Sequence, residues 1–304
     1  MATLLVAAAI FSFQNNFWVN LHQFLHAEAG RRAAGQALRF EPSGLPAAER
    51  AAWEDALTVY GPISKRDHVR DAGLIALNDA LSQVEGDTLP TTIEPAIAAA
   101  LTRAAPVYRA RLWPEHRRAN EAWIASIGPT VERIAPRLTV QLAQAYHAAW
   151  PSQPILVDVS HSAGRFGAYT ALQFGRAFAG HATVSSFDDG SDGEMGVETV
   201  FHEASHTIGP SIMRMIAAEA RSQNLAQPPN LWHALIFYTT GELVRRALGK
   251  TGDSHYLPYA YRFSVYEKGM LPERGSLEKN WQPWLDGRVP FEEALRNLVR
   301  DVGR

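Results

Sequence analysis

The chain has 304 residues, is 46% hydrophobic and 20% charged, and carries a formal net charge of −2. This describes an ordinary globular composition with enough length for a sizeable core, and the near-zero charge excludes a basic nucleic-acid surface or an acidic tail. There is no cysteine, so disulfides, thiolate ligands and a cysteine nucleophile are excluded together, and any metal must be held by nitrogen and oxygen.

The first segment, MATLLVAAAIFSF, carries an apolar run from Leu4 to Phe11 followed through by small residues at Ala7-Ala8-Ala9. No Lys or Arg precedes the run, which is also far too short to form a stable membrane span. A buried first strand and the tail of a secretory signal both fit it, and the balance leans towards export to the periplasm or medium. From Asn16 to about Trp150 apolar residues recur at helical spacing. FWVNLHQFLHAEAGRRA is one such helix, PAAERAAWEDALTVYG ends at Gly61-Pro62, and VERIAPRLTVQLAQAYHAAW closes at Pro151. The period then changes: PILVDVS (154–160), GAYTAL (167–172) and HATVSSF (181–187) read as short strands joined by glycine-bearing turns. Helical spacing returns after DDGSDGEMG, with a strong helix over NLWHALIFYTTGELVRRALG (230–249) and a last one in FEEALRNLV. The expected fold is α+β and mostly helical. A mainly helical region would cover 1–150, and a region over 151–304 would hold the small sheet, a metal-binding helix and the C-terminal helices, as two parts or as one compact unit.

The chemistry concentrates in VETVFHEASHTIGP (197–210). A helix can start at Ser191 or Asp192 and must stop at Gly209-Pro210. Val197, Val200, Phe201, Ala204 and Ile208 form one apolar stripe, and His202 and His206 lie roughly opposite it. An i, i+4 pair presents two imidazoles from successive turns, as Zn2+ requires at about 2.0–2.1 Å. Glu203 is displaced by one residue, so it is placed to take a proton from a water held by the metal rather than to be a ligand. A catalytic zinc site needs a third protein ligand and keeps one position open. The extension to a third histidine three residues after Gly209 fails, because that position is Ile212. Glu242, the lone acid between Asn230 and Val244, is the first choice, since a carboxylate in so apolar a segment needs a partner. Gly241 beside it would let the helix approach closely. Pairing with Arg246 is its alternative explanation, and Glu219 and His233 are the alternative ligands.

The combination of a short sheet, HEASH (202–206) and a later helical glutamate in YTTGE (238–242) resembles the gluzincin metallopeptidases, the thermolysin-like and aminopeptidase-like clan. The likeness covers about a fifth of the chain, from Thr183 to Arg246, and Gly-Glu stands where Asn-Glu is common in that clan. It implies a zincin-like fold, a single Zn2+ held by His202, His206 and Glu242, Glu203 as general base, and hydrolysis of a peptide. By analogy HATVSSF would be an edge strand that pairs with the extended substrate, an ordinary core strand being its alternative. The segment HYLPYAYRF (255–263) would supply a donor to the developing oxyanion, with Tyr261 as first choice and His255 as second. Asp188, Asp189 and Asp192 lack the spacing of a calcium loop and read as a solvated turn and cap. A zinc amidohydrolase acting on a small amide, and a binding protein with a vestigial site, are the rival readings.

Overall fold

The computed structural model describes residues 9–164, 167–171, 178–249, 255–268 and 274–303. The apolar run from Leu4 therefore lies largely outside the described residues, and only its end enters a strand. The architecture is α+β and mostly helical, with a small four-stranded sheet among the described residues. No described helix is long and apolar enough to cross a membrane.

Contacts divide the chain into two compact units, Met1–Gly128 with Gln153–Asp192, and Pro129–Ser152 with Gly193–Arg304. This differs from the division expected near residue 150, and strand pairing is the reason. β1 (Phe11–Gln14) pairs in parallel with β2 (Ile155–Ser160), which ties the sheet to the N-terminal helices.

In the first unit the sheet order is β1-β2-β4-β3, with β3 spanning Ala168–Ala171 and β4 spanning Gly180–Ser185. β4 runs parallel to β2 and antiparallel to β3. Every residue of β2 and β4 is buried, so both strands are covered on both faces, and the buried Asp158 and His181 pair with each other at 2.7 Å. The edge-strand reading of HATVSSF is thereby corrected: β4 is interior, with both of its sides already hydrogen-bonded. Helix α1 (Phe17–Ala33) begins where the Asn16 side chain accepts from the Trp18 and Val19 amides. It packs against α2 (Ala47–Ile63), α3 (Ala72–Ser82) and α4 (Pro95–Arg111) around Phe24, Leu25, Trp53, Tyr60 and Tyr108. Truncating Phe24 or Trp53 would cost about 3–5 kcal/mol, since the neighbours of a fully buried ring only partly collapse. α2 runs through Gly61-Pro62 rather than stopping there, because proline in a last turn leaves the Ser64 amide free to close on Tyr60 O. α5 (Trp113–Ala145) is continuous for 33 residues despite Pro129 and Pro136, and it contributes to both units.

The second unit holds the end of α5, then α6 (Gly193–Ser205), α7 (Gly209–Ser222), α8 (Leu231–Gly249) and the short α9 (Tyr259–Arg262), with a closing helix at Phe291–Val302. The predicted stripe of Val197, Val200, Phe201, Ala204 and Ile208 is buried as expected. α6 ends one turn earlier than its sequence suggested. His206–Ile208 tighten into a 3₁₀ turn, and Pro210 then opens α7, where its missing amide costs nothing. α6 and α8 are pinned by a buried hydroxyl chain in which Thr240 Oγ1 meets Ser205 Oγ at 3.2 Å and Tyr146 Oη at 3.1 Å.

Candidate metal centre

α6 and α8 bring three histidines together. His202 Nε2 lies 3.2 Å from His206 Nε2 and 3.3 Å from His233 Nε2, and one nitrogen from each ring falls within 4.8 Å of the others. Two ligands of a tetrahedral zinc at 2.0–2.1 Å stand about 3.3–3.4 Å apart, so these separations match those of rings sharing one ion as well as those of a hydrogen bond. Burial pushes all three imidazoles below their ordinary value, His206 to about 3 and His233 to about 4, which keeps their lone pairs free at neutral pH. Among the described residues this is the only trio of potential ligands gathered so closely.

Aromatic rings wall the site. Phe237, one turn after His233, lies 4.0 Å from His202 between ring centroids and 4.8 Å from His233. Trp232 stacks on His233 and meets His206 edge-on. Gly209 makes room for that indole: a β-carbon there would lie 3.3 Å from the Trp232 ring. Glu203 is buried on α6 directly after His202.

The other sequence candidates lie elsewhere. The Glu242 carboxylate is held by Arg245 Nε and Nη2 at 2.7 and 2.8 Å and by Arg246 Nε at 2.6 Å. It follows His233 by nine positions, about two and a half turns, so it leaves the opposite side of α8. The ion-pair alternative describes it, and the side chain gathered beside His202 and His206 is that of His233. Glu219 accepts from Gln223 Nε2 on α7 and stands outside the cluster. Tyr261 donates to Glu278 Oε1 at 3.3 Å under the Arg274 guanidinium, and His255 is exposed. From that segment it is the ring of Tyr259 that approaches the site, stacked 6.1 Å from Phe237.

One group escaped the sequence reading. Glu198, one turn before His202, is buried, accepts from Tyr256 Oη at 2.6 Å and the Tyr259 amide at 3.1 Å, and leaves Oε1 without a partner. Burial pushes its carboxyl up to about 7. Gly241 does permit the close approach its sequence position suggested, but the atoms it admits are Glu198 Oε1 and Pro258 Cβ. The i, i+4, i+8 series Glu198, His202, His206 was the available signal.

No protein-family model, no curated protein and no solved structure matches this chain, so the site rests on its own geometry.

Proposed function

We propose that the protein is a zinc-dependent hydrolase of amide bonds, with His202, His206 and His233 as metal ligands and Glu203 as general base. The observation that carries this reading is the approach of His206 Nε2 and His233 Nε2 to His202 Nε2 at 3.2 and 3.3 Å, with the buried Glu203 next to His202 in sequence. A three-imidazole set suits Zn2+ and leaves a fourth position open. When bound, the ion would supply Lewis acidity, lowering the pKa of a water and polarising a carbonyl oxygen.

The remaining roles belong to the chain. His202 and His206 present adjacent nitrogens because a helical turn separates them, and the hydroxyl contact between Ser205 and Thr240 holds α8 in register so that His233 completes the set. Glu203 takes the proton of the attacking water and returns it to the leaving amine. Phe237 and Trp232 shield the site, which strengthens electrostatic attraction within it. The ligand set differs from that of the gluzincin clan, since Glu242 is committed to two arginines. With β4 interior to its sheet, the substrate class rests on the metal chemistry alone, and both peptides and small amides fall within it.

The test is zinc content together with turnover of a mixture of peptides and small amides. His202→Ala and His233→Ala should each remove one equivalent of zinc and abolish hydrolysis. A His233→Ala variant with full zinc and full activity would sink the ligand set, and a zinc-loaded wild type that cleaves no amide would sink the hydrolase.

A further inference from the structure

The first unit contains another histidine cluster, and it repeats the pattern of the first at a distance in sequence. α1 carries His22-Gln-Phe-Leu-His26, an i, i+4 pair, and His68 joins it from the turn after α2. Ring centroids lie 4.0 Å apart for His26 and His68, 5.9 Å for His22 and His68, and 6.4 Å for His22 and His26. His22 and His68 are more than nine-tenths buried. His22 Nε2, His26 Nε2 and both nitrogens of His68 are buried with no hydrogen-bond partner. Buried polar atoms are nearly always satisfied, so four orphans in one place require an explanation.

The tautomers narrow it. His26 bonds the backbone of Ile63, and a carbonyl can only accept, so Nδ1 holds the proton and Nε2 offers a bare lone pair. His22 Nδ1 meets Tyr60 Oη at 2.9 Å, and its Nε2 is buried without a partner. A ring fixed through one nitrogen while the other points at nothing is the arrangement of a metal-ligating histidine. Burial holds the rings neutral, His26 at about 4 and His68 at about 3, and the Asp71 carboxylate adds a negative field at His68. The nitrogens are less tightly gathered than those of His202, His206 and His233. Closing them on one ion needs His22 or His26 to move as well as His68, since the His22 and His26 rings form the widest pair. The His68 ring stacks on Tyr169 at 5.0 Å and packs against His26.

We propose that His22, His26 and His68 form a second metal site, taking a first-row divalent ion such as Zn2+ or Co2+, with a structural role. Its character follows from Gln23, which stands where the metal centre of the second unit has Glu203. The Gln23 amide donates to Asn78 Oδ1 at 3.1 Å and Tyr169 Oη at 2.6 Å, and its oxygen accepts from the Gly164 amide at 3.3 Å. An amide so engaged cannot take a proton from water, so the ion would cross-link α1 to the turn after α2 without hydrolytic chemistry.

The test uses the full chain carrying His202→Ala and His233→Ala together, which removes the other cluster. Titration with Co2+, followed by its visible ligand-field bands and by thermal shift, should still reveal one bound equivalent. Adding His68→Gln, which keeps a polar side chain in the turn, should abolish that equivalent and its thermal stabilisation while the far-UV circular dichroism is retained. Wild-type protein should take up two equivalents, and His68→Gln alone should leave one. A folded His202→Ala/His233→Ala protein that binds no Co2+ would overturn the proposal, the orphaned nitrogens then belonging to ordered water. So would a His68→Gln single variant that still takes two equivalents. Two bound ions without amide hydrolysis would uphold this site and sink the hydrolase.

Discussion

The two histidine clusters differ by one side chain and by how far their rings have converged. Each begins with an i, i+4 pair on a helix and is completed by a histidine from another segment, yet one has Glu203 after its first histidine and the other Gln23. In the cluster with Gln23 the third ring comes from a turn and the nitrogens remain spread. In the cluster with Glu203 the third ring comes from α8, held against α6 by buried hydroxyls, and His206 Nε2 and His233 Nε2 stand 3.2 and 3.3 Å from His202 Nε2. The tighter cluster is the one whose third histidine is mounted on a helix held by buried hydroxyl contacts.

The largest effect should come from the residue that distinguishes the clusters. Glu203→Gln should lower amide turnover by about 10²–10⁴, the usual contribution of a general base, with zinc content unchanged. Turnover within about twofold of wild type, at equal zinc content, would remove the base and erase the contrast with Gln23.

The clusters share an acid sensitivity. Burial lowers His22, His26, His68, His116 and His161 in the first unit and His202, His206 and His233 in the second. The unfolded chain takes up these protons near the ordinary value of 6.5, while folded His68 and His206 resist until about 3. Stability is therefore present above about pH 6.5 and falls as the pH drops, by about 1.4 kcal/mol per pH unit for each histidine. Urea unfolding of chelator-treated protein should show this steep loss between about pH 6.5 and 4, and a flat profile there would contradict the burial of both clusters.

Glu198 belongs to the second unit only and has the opposite sign. Its folded carboxyl holds a proton up to about 7, against 4.5 when unfolded, so it opposes stability increasingly as pH rises through that window. Glu198→Gln should match wild type near pH 5 and exceed it by about 3 kcal/mol near pH 8, the shift converted at about 1.4 kcal/mol per unit. Equal stabilities of the two proteins near pH 8 would mean that Glu198 is not desolvated.

The smallest effect is expected at Glu242. As a helical ion pair with Arg245 and Arg246 it should cost about 1 kcal/mol or less on conversion to Ala, with zinc and turnover intact. Loss of zinc in that variant would restore it as a ligand and displace His233.

Much of this was legible in the sequence. α1 is the helix read from its apolar spacing, its start set by Asn16, and β2 and β4 follow from short β-branched runs. The pair His202 and His206 was legible because four residues, about one helical turn, separate the two imidazoles. His233 was read only as an alternative to Glu242, because its approach depends on how α8 packs, and spacing along the chain says nothing of that. A lone acid in an apolar helix favoured Glu242, although the arginines three and four residues on were its actual partners. The sheet's place was hidden too, since the pairing of Phe11 with Ile155 spans most of the first unit's sequence.

The interleaving of the units has a consequence for synthesis. Pro129–Ser152 leaves the ribosome before Gln153–Asp192, so a piece of the second unit emerges before the first is complete. Neither unit is one continuous stretch of chain, and the ordinary course of domains folding one after another during translation is closed to them. Until β2 is made, β1 has no strand to pair with, and α5 must wait with its C-terminal half uncovered for helices not yet translated. A nascent chain released at Ser152 would hold an N-terminal helical body without its sheet, a natural substrate for chaperones.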